Sequence, residues 1–299
     1  MQQAILITAY KNFDHLEAII RFFDGDFKLY IHIDRKSKMD ATRLETFKNY
    51  QNVALVSTKY NVNWGGFYHL KAILHLSREA LKDKNNQYFH LISGHDFPTK
   101  SLSAFQLFFQ ENHQTNYLEY FKIPKQEWLD RGIDNGGLER IDYFHLNGVL
   151  NVRKSDKLYA YSKRFLRWQQ QLGFKRKLPA KMPPLYSGST WWSLNREALD
   201  YVDVYSKIHK NILNRFKYTF CSEEFYFQTL LVNSDFAPTI VNDNLRHIEW
   251  TMRNGNSPAN LDATDYEKLI ASNAFFARKF EYPVSVSLLD KIMNGNTNH

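Results

Sequence analysis

The sequence lacks several features that mark common classes of protein. It holds one cysteine, Cys221, among 299 residues, so no disulfide can form within the chain. We expect that thiol to be a small buried side chain in a protein of a reducing compartment. No apolar run approaches the roughly 20 residues that cross a membrane, and the run at residues 4–7 lacks the basic flank of a signal peptide. We therefore expect a cytoplasmic protein.

Motifs that bind nucleotides or metals through a fixed spacing are also missing. No Gly-x-Gly-x-x-Gly fingerprint occurs, and no glycine-rich loop carries the Lys and Ser or Thr that hold phosphates, which argues against Rossmann dehydrogenases and P-loop enzymes. The eleven histidines and the cysteine show no zinc-ligand spacing. An Asp-x-Asp pair, Asp24 and Asp26, precedes the second predicted strand instead of following a strand, so we predict a turn there.

Positive charge is in excess. The 39 Lys and Arg outnumber the 31 Asp and Glu, and the formal net charge of +8 favours an anionic partner. Residues 153–181 hold ten basic residues and one acid, Asp156, and their apolar side chains recur at spacings of three and four, which predicts a basic amphipathic helix. Such a helix packs its apolar stripe on the core, docks on a membrane surface or binds nucleic acid. The stripe comprises Leu158, Tyr161, Phe165, Trp168 and Leu172.

The first hundred residues alternate strand-like and helix-like patterns. This alternation predicts a parallel, doubly wound sheet, in which ligands bind beyond the carboxyl ends of the strands. Polar side chains follow those ends: Tyr10, the segment from Asp34 to Lys36, and residues 93–98. The predicted strands are residues 4–9, 27–33, 53–57 and 88–93, and the predicted helices are residues 15–23, 42–50 and 68–81.

The rest of the chain is less regular. Residues 122–184 form a charged excursion, broken by Gly and Pro, around the basic helix. Because no repeat and no linker separates parts of the sequence, we predict a single domain over residues 1–299. The elements predicted after the excursion are a strand at residues 189–194, a helix at 196–209, a helix containing Glu224 and a strand near 239–250.

Two adjacent carboxylates, Glu223 and Glu224, open an aromatic helical segment at residues 221–227. A carboxylate among aromatic rings is partly desolvated, which suits a general base that takes a proton from a sugar hydroxyl. The same pattern also fits an ordinary helix start. Ser222 would then cap the helix, and the two acids would interact favourably with the positive end of its dipole.

Six stretches, in order along the chain, resemble signatures of the core 2/I-branching and peptide xylosyltransferase family, glycosyltransferase family 14. The resemblance implies a GT-A-like α/β fold, with a Rossmann-type mixed central sheet flanked by helices, and a nucleotide-binding half at residues 1–120 before an acceptor-binding and catalytic half at 121–299. It also implies a UDP-sugar donor and inversion at the anomeric carbon, with no metal and no other cofactor. The stretches are residues 30–37 (YIHIDRKS), 63–66 (NWGG), 93–98 (SGHDFP), 188–194 (GSTWWSL), 223–225 (EEF) and 276–280 (FARKF).

The resemblance assigns roles to the acidic residues. Glu224 matches the family's catalytic acid and would take the proton of the acceptor hydroxyl, and Glu223 would orient the acceptor. Asp34 ends a predicted strand, where it would accept hydrogen bonds from the uracil or the ribose, although it equally suits the start of a turn. Asp96 would bond local backbone amides and shape the site.

The resemblance also assigns cations and aromatic side chains. Lys279 and Arg278 match the C-terminal phosphate-binding motif, where fixed positive charge would meet the charge that grows on the leaving diphosphate. A second cation would be Arg253 or Arg140. Three tryptophans offer flat faces for stacking on sugar rings, or else belong to the core, and Trp191 or Trp192 is preferred as a sugar contact over Trp64.

The chain departs from the animal members of the family, which carry a membrane anchor and several disulfides. It is therefore similar to a bacterial-type member. Its expected acceptor is a lipid-linked or polysaccharide glycan at the inner face of the membrane, where the basic helix at residues 153–181 would contact anionic lipid. The expected donor sugar is N-acetylglucosamine or xylose. The alternatives are a catalytically silent carbohydrate-binding protein of the same fold and, with no recognised motif in support, a nucleic-acid-binding protein.

Overall fold

A computed structural model describes residues 1–23 and 25–296. Asp24 of the predicted Asp-x-Asp turn lies outside the described residues, and Gly25 and Asp26 lie in a turn. The helices are α1 (Phe13–Phe22), α2 (Ala41–Lys48), α3 (Phe67–Lys82), α4 (Leu102–Glu111), α5 (Gln126–Asp130), α6 (Glu139–Asp142), α7 (Asp156–Gln171), α8 (Arg196–Ile208), α9 (Lys210–Arg215), α10 (Glu223–Val232), α11 (Tyr266–Ala271) and α12 (Val286–Asn296). The strands are β1 (Gln2–Ala9), β2 (Phe27–Ile33), β3 (Val53–Ser57), β4 (Asn86–Ser93), β5 (Asp96–Pro98), β6 (Asn116–Leu118), β7 (Phe121–Lys122), β8 (Tyr186–Ser187), β9 (Trp192–Asn195), β10 (Ile240–Val241), β11 (Arg246–Ile248) and β12 (Phe276–Arg278).

A seven-stranded mixed sheet lies at the centre of the fold, with the strand order β10-β6-β9-β4-β1-β2-β3. Strands β1 to β4 are parallel to one another, as their alternation with helices predicts. Strand β9 runs antiparallel to both of its neighbours, β4 and β6, which makes the sheet mixed. The carboxyl ends of β1, β2 and β4 therefore lie side by side at one edge of the sheet.

Both faces of the sheet are buried. Along β1, Ala4 and Leu6 pack into one apolar cluster with α3, α8 and α10, while Ile5 and Ile7 pack into a second cluster with α1, α4 and α12. Helices thus cover each face, which accounts for the nearly continuous apolar sequences of the parallel strands.

A second, three-stranded sheet joins two distant parts of the chain. Strand β12 pairs in antiparallel fashion with β5 and in parallel with β11. In this register Arg278 lies opposite Asp96. The sheet therefore brings the stretch at residues 276–280 against the stretch at residues 93–98, beside the carboxyl edge of the central sheet.

Two predicted strands differ from the structure. The strand predicted near residues 239–250 is wrong, because β10 and β11 belong to different sheets and Leu245 between them has a left-handed φ of 57°. The strand predicted at residues 189–194 is shorter in the structure, where β9 begins only at Trp192. An apolar pattern of period two does not reveal a turn that leads the chain from one sheet to another.

The basic helix forms, but over fewer residues than predicted. It is α7, Asp156–Gln171, with Ser155 accepting a hydrogen bond from the Leu158 N–H as its N-cap. The prediction that its apolar stripe packs on the core is wrong in part, because Leu166 and Gln169 are buried while Tyr161, Trp168 and Leu172 are exposed. None of the helices in the described part of the chain has the length and apolar composition needed to cross a bilayer.

Candidate active site

The side chains at the carboxyl ends of β1, β2 and β4 form the floor of the candidate site. Thr8 and Tyr10 lie at the end of β1, Asp34 follows β2, and Ser93 ends β4. The Asp34 N–H donates to the Ala9 carbonyl at 2.8 Å, which holds the ends of β1 and β2 together. The strand ends named by sequence thus lie together in the fold.

The carboxylate pair begins α10, and the helix start is not an ordinary capped one. Ser222 precedes Glu223 but makes no capping hydrogen bond, and its buried hydroxyl has no partner among the described residues. Cys221 before it adopts a left-handed φ of 51°, a conformation that a side chain disfavours. The interpretation of Ser222 as an N-cap is therefore wrong.

Glu224 pairs with a buried arginine of α6. Nη2 of Arg140 donates to Oε2 of Glu224 at 2.5 Å, and the Arg140 guanidinium packs on the ring of Phe225. Oε1 of Glu224 has no hydrogen bond to any described residue, and its side chain is 30% exposed. Burial raises the pKa of the Glu224 carboxyl above its ordinary value of 4.5, against the opposing charge of Arg140. One carboxylate oxygen is thus held by Arg140 and the other is open to a substrate.

Glu223 occupies a different environment from its neighbour. It is buried, and its Oε1 lies 2.9 Å from Nδ1 of His69 in the first turn of α3. Nε2 of His69 lies 3.3 Å from the Thr8 hydroxyl at the end of β1. This chain of contacts ties the start of α10 to the floor of the site, which makes Glu223 a support of the site and leaves Glu224 as the more accessible carboxylate.

In the Trp-Gly-Gly turn before α3, the local geometry accounts for a glycine at both positions 65 and 66. Gly65 has a positive φ, and its carbonyl accepts the Cys221 N–H at 3.0 Å. A Cβ on Gly66 would stand 2.8 Å from the backbone carbonyl oxygen of Asn147, closer than real Cβ contacts. The turn therefore lets two loops approach next to the carboxylate pair.

We expect Gly66→Ala to destabilise the protein by about 1–3 kcal/mol, the usual cost of an overpacked site. The neighbour that a new Cβ would meet is backbone and cannot rotate away. The urea unfolding midpoint measures the effect. Gly25→Ala is the matched control, because a Cβ there meets nothing within 4 Å. Equal midpoints for the two variants would show that the close approach at Gly66 is absent.

Gly188, in the stretch at residues 188–194, has a second role at the start of α10. Its N–H donates to the Glu224 carbonyl at 2.9 Å, and the Ser187 hydroxyl donates to the same oxygen at 2.9 Å. A Cβ on Gly188 would stand 1.9 Å from the Glu119 carbonyl oxygen. Only a glycine fits there, so this stretch positions the backbone of the carboxylate pair.

Four cations gather near the end of β12. The pKa of Lys279 is lowered by partial burial and by the positive charges of Arg278, Lys11 and Arg153. Lys11 is compensated by Glu281, at 2.8 Å. The side chain of Lys279 makes no ion pair and no hydrogen bond with any residue that the structure describes, so positive charge is left over at this point.

The carboxylate of Glu281 is charged. The His95 ring, whose Nε2 lies 3.5 Å from Oε2 of Glu281, and the Lys11 ammonium hold the pKa of Glu281 at about 2. Glu281 therefore neutralises one of the neighbouring cations and cannot satisfy all of them.

Arg278 is placed by the small sheet. Its Nε lies 3.4 Å from Oδ1 of Asp96, and its guanidinium stacks at 4.4 Å over the ring of Trp191. Oδ2 of Asp96 accepts the Ser93 N–H at 2.5 Å. Asp96 is thus a buried anchor for the loop after β4 and for Arg278, which agrees with the predicted bonding to local backbone.

Arg153 connects the cations with the carboxylate pair. Its guanidinium stacks at 3.8 Å over the Trp64 ring, and Trp64 packs edge-on against Phe220, just before Cys221. The charge of Arg153 also contributes to the lowered pKa of Lys279. Contacts therefore lead from Glu224 through Arg140, Phe220 and Trp64 to Arg153, whose charge acts on Lys279.

The three tryptophans have different surroundings. Trp192 is fully buried against Phe227, so it belongs to the core and the prediction that it contacts a sugar is wrong. Trp191 is 7% exposed and is covered by Arg278, whereas Trp64 is 45% exposed. Exposure therefore favours Trp64 over Trp191 and Trp192 as the tryptophan that contacts a sugar.

Asp34 and Arg253 also have different surroundings. Oδ1 of Asp34 accepts the N–H groups of Lys36 and Val62, and the Lys36 ammonium lies 3.6 Å from Oδ2. Asp34 thus shapes the loop after β2 and stays at the edge of the site.

Arg253 is bound by Asp265 and Asp262. We therefore withdraw Arg253 as a diphosphate cation, because its charge is already compensated; Arg140, the other candidate, is held by Glu224.

Sequence reasoning missed His69, Arg153 and Lys11. Lys11 follows Tyr10 at the end of β1, so the strand-end rule could have included it. Arg153 was hidden in the basic stretch, and no spacing rule connects His69 with Glu223. Among residues 1–23 and 25–296, no group of three or more His, Cys, Asp or Glu side chains is arranged to hold a metal ion.

The mixed sheet, with a carboxylate pair and cations beside its strand ends, defines an α/β enzyme. The chain belongs to the Core-2/I-branching enzyme family, whose model matches residues 4–270. It is similar to xylosyltransferase 1 of Mus musculus, with 26% identity over 316 residues that cover 96% of this chain and 30% of that protein. Xylosyltransferase oxt of Drosophila pseudoobscura pseudoobscura is 26% identical over 282 residues, 87% of this chain and 29% of that protein. The chain thus spans less than a third of these curated relatives.

Solved structures resemble the chain more distantly. S. aureus TarS 1-349 in complex with UDP-GlcNAc matches with a TM-score of 0.31 and 17% identity, over 40% of this chain and 34% of that one. A glycosyltransferase involved in the glycosylation of the major capsid of PBCV-1 matches with a TM-score of 0.35 and 9% identity, over 98% and 99%. At these scores neither likeness bears on mechanism.

Proposed function

We propose that the chain is an inverting glycosyltransferase that moves a sugar from a UDP-sugar to a hydroxyl of a glycan or glycolipid acceptor without a bound metal. One observation carries the proposal: an accessible carboxylate, Glu224, is connected through Trp64 and Arg153 to Lys279, a cation that pairs with no described residue. Membership of the Core-2/I-branching enzyme family and the xylosyltransferase relatives support sugar transfer. N-acetylglucosamine and xylose are the donor sugars we propose.

Glu224 acts as the general base. Its free Oε1 accepts the proton of the acceptor hydroxyl while that oxygen attacks the anomeric carbon from the face opposite the diphosphate. The bond from the anomeric carbon to the phosphate oxygen breaks in the same displacement, so the configuration inverts. Arg140 fixes the orientation of the carboxylate through Oε2. The proton remains on Glu224 and leaves to solvent after the product departs.

Lys279 and Arg278 receive the leaving diphosphate. The departing oxygen takes the electron pair of the broken bond, and a cation aimed at that charge before the reaction lowers the barrier. Lys279 is the principal cation, because its ammonium has no ion pair with the described residues. Arg278 is held in place by Asp96 and Trp191 and supplies the second charge.

The nucleoside and the sugar lie on either side of the diphosphate. Asp34, at the end of β2, faces the ribose or uracil, in the part of the fold where open α/β sheets bind nucleotides. Trp64 offers its exposed ring to a sugar, because stacking needs an open face. A small cavity of about 120 Å³, lined in part by Trp64, Arg140 and Tyr159, accommodates part of the acceptor.

We expect the turnover rate to fall as the pH falls through the pKa of Glu224, because only the carboxylate accepts a proton. Burial raises that pKa, so the acidic limb lies above pH 4.5. Arg140→Gln removes a charge that lowers the pKa, and therefore moves the limb to higher pH. The pH profile of kcat/KM measures the shift.

Arg140→Lys is the control for this shift, because it keeps a positive charge beside Glu224 and should leave the limb near its wild-type position. Circular dichroism establishes that both variants are folded. A limb that stays in place in a folded Arg140→Gln variant would argue against Glu224 as the titrating base.

The stereochemical outcome tests the proposal directly. Proton NMR of the product formed from an α-linked UDP-sugar should show the β-anomer as the first product, since a single displacement inverts the centre. A first product with the α configuration would contradict a mechanism in which Glu224 serves only as a base.

A further inference from the structure

The exposed side of α7 carries three large apolar side chains that the described residues leave largely open to solvent. This outer face of α7 is formed by Tyr161, Trp168 and Leu172 together with the basic Lys157 and Arg164, and its members follow one another at spacings of three and four. Tyr161 is 57% exposed, Trp168 is 56% exposed and Leu172 is 62% exposed. Three large apolar side chains in a row on a solvent-facing helix indicate a contact surface.

The fold does not need these side chains for packing. Helix α7 rests on the protein through the opposite side, where Leu166 and Gln169 are buried and Gln169 bonds the backbone of Phe144. The outer face therefore keeps its tryptophan, tyrosine and leucine in water at a cost in free energy, and burying them elsewhere recovers it.

The charges around the outer face are uncompensated. Lys175 pairs with Asp142, and Arg176 donates to backbone carbonyls. The remaining basic side chains near α7 make no ion pair within 4 Å with any residue in the described ranges, and Asp156 is the one acid of the segment. They are Arg153, Lys154, Lys157, Lys163, Arg164, Arg167, Lys177 and Lys181.

We propose that the outer face of α7 docks on an anionic membrane surface. Lys and Arg side chains attract anionic headgroups, and tryptophan, tyrosine and leucine enter the boundary between headgroups and acyl chains. Tryptophan and tyrosine are the side chains that membrane interfaces favour. Nucleic acid would use the same charges, but Leu172 contributes nothing to phosphate contacts, so the combination fits lipid better.

Docking in this way orients the candidate active site. The other side of α7 lines the small cavity with Tyr159, Ser162 and Lys163, next to Arg140 and Trp64. A protein lying on the bilayer through α7 therefore holds this cavity close to the headgroups. Resting on the proposed function, this placement means that the acceptor is a saccharide carried on a membrane lipid.

Vesicle flotation tests the surface. The protein should float with phosphatidylcholine vesicles that contain phosphatidylglycerol, and should stay unbound with phosphatidylcholine alone. Each Lys or Arg near an anionic surface contributes roughly fivefold in partitioning, so Lys157→Glu, Arg164→Glu and Arg167→Glu together should weaken binding by about a hundredfold or more. Lys163 is left unchanged because it lines the cavity.

A matched variant tests whether binding depends on where the basic side chains lie or only on the net charge of the protein. Lys84→Glu, Lys122→Glu and Lys210→Glu together change the net charge equally at exposed positions outside residues 153–181, and this variant should retain most of the binding. Release of UDP from a soluble donor should be unchanged in both triple variants, which shows that they are folded and keeps this test separate from that of the proposed function.

Fluorescence locates the contact. Brominated lipid should quench tryptophan emission of the bound wild type, and Trp168→Phe should lose most of that quenching. The proposal is overturned if no vesicle binds the protein, if both triple variants bind equally, or if quenching is undiminished in Trp168→Phe. Binding of random RNA or DNA that displaces the protein from anionic vesicles and depends on the same three basic residues would assign the surface to nucleic acid instead.

Discussion

Replacing Glu224 with Gln should lower the rate of sugar transfer by about 10²–10⁴-fold, the contribution that a positioned general base makes. The amide keeps the shape of the side chain and a carbonyl oxygen for Arg140, but it cannot accept a proton at Oε1. Binding of UDP should stay close to the wild-type value, because the Glu224 carboxylate does not touch the diphosphate in the proposed arrangement. The rate of UDP release at saturating donor measures the effect.

Glu223→Gln is the informative comparison for this variant. Glu223 is buried and contacts His69, so its loss should disturb the position of α10 without removing the base. Its residual activity should keep the acidic limb of the pH profile, whereas residual activity of Glu224→Gln should lack that limb. A larger loss of rate in Glu223→Gln, together with loss of the limb, would transfer the role of base to Glu223.

Replacing Lys279 with Ala should lower the turnover rate by about 10²–10³-fold, comparable with removing one fixed donor from a developing oxyanion. The ammonium is surrounded by other cations and has no ion pair among the described residues. Its loss therefore removes a positive charge that is available to bind the diphosphate. The affinity for UDP should fall as well, and the affinity for uridine should be unchanged. Calorimetry with the two ligands separates the diphosphate from the nucleoside.

Two further variants serve as controls for Lys279→Ala. Lys279→Arg keeps the charge and should recover part of the affinity for UDP. Lys84→Ala removes an exposed lysine far from the site and should leave both affinities unchanged. Equal weakening of UDP and uridine in Lys279→Ala would assign this lysine a structural role.

The regular part of the fold could be predicted from residues alone. The strands β2 and β3 have the predicted bounds, and β1, β4 and the helices between them lie within a few residues of prediction. These segments alternate because β1, β2 and β4 are buried on both faces and each helix covers one of them, while β3 lies at the edge of the sheet with Ala54 exposed. The resemblance to a known family supplied the mixed sheet and the order of the motifs, which periodicity alone does not provide.

The candidate site was predictable where a residue's position along the sequence determines its place. Glu224 opens a helix and Asp34 ends a strand, so both lie at the expected edge of the sheet. Arg253 could not be judged in this way, because its partners Asp262 and Asp265 approach it only in the folded loop. The burial of both Trp192 and its neighbour Trp191 likewise depends on tertiary packing, which the local sequence does not reveal.

The contacts that unite the site are long-range and leave no local pattern. Arg153 reaches Trp64 from a segment almost ninety positions away, and His69 reaches Glu223 across 154 positions. The apolar stripe predicted for α7 is the reverse case. Its period predicted a buried face, but Tyr161, Trp168 and Leu172 of that stripe are exposed, and the structure buries Leu166 and Gln169 instead.

Release of UDP from a panel of UDP-sugars in the presence of EDTA tests whether the chain is a metal-independent UDP-sugar transferase. The wild type, Glu224→Gln and Lys279→Ala are compared at one enzyme concentration. We expect one donor to be cleaved, cleavage to survive EDTA, and both variants to lose most of the rate. Cleavage that EDTA abolishes and a divalent metal restores would contradict metal independence, and cleavage of no UDP-sugar, together with no binding of UDP, would contradict the assignment as a UDP-sugar transferase.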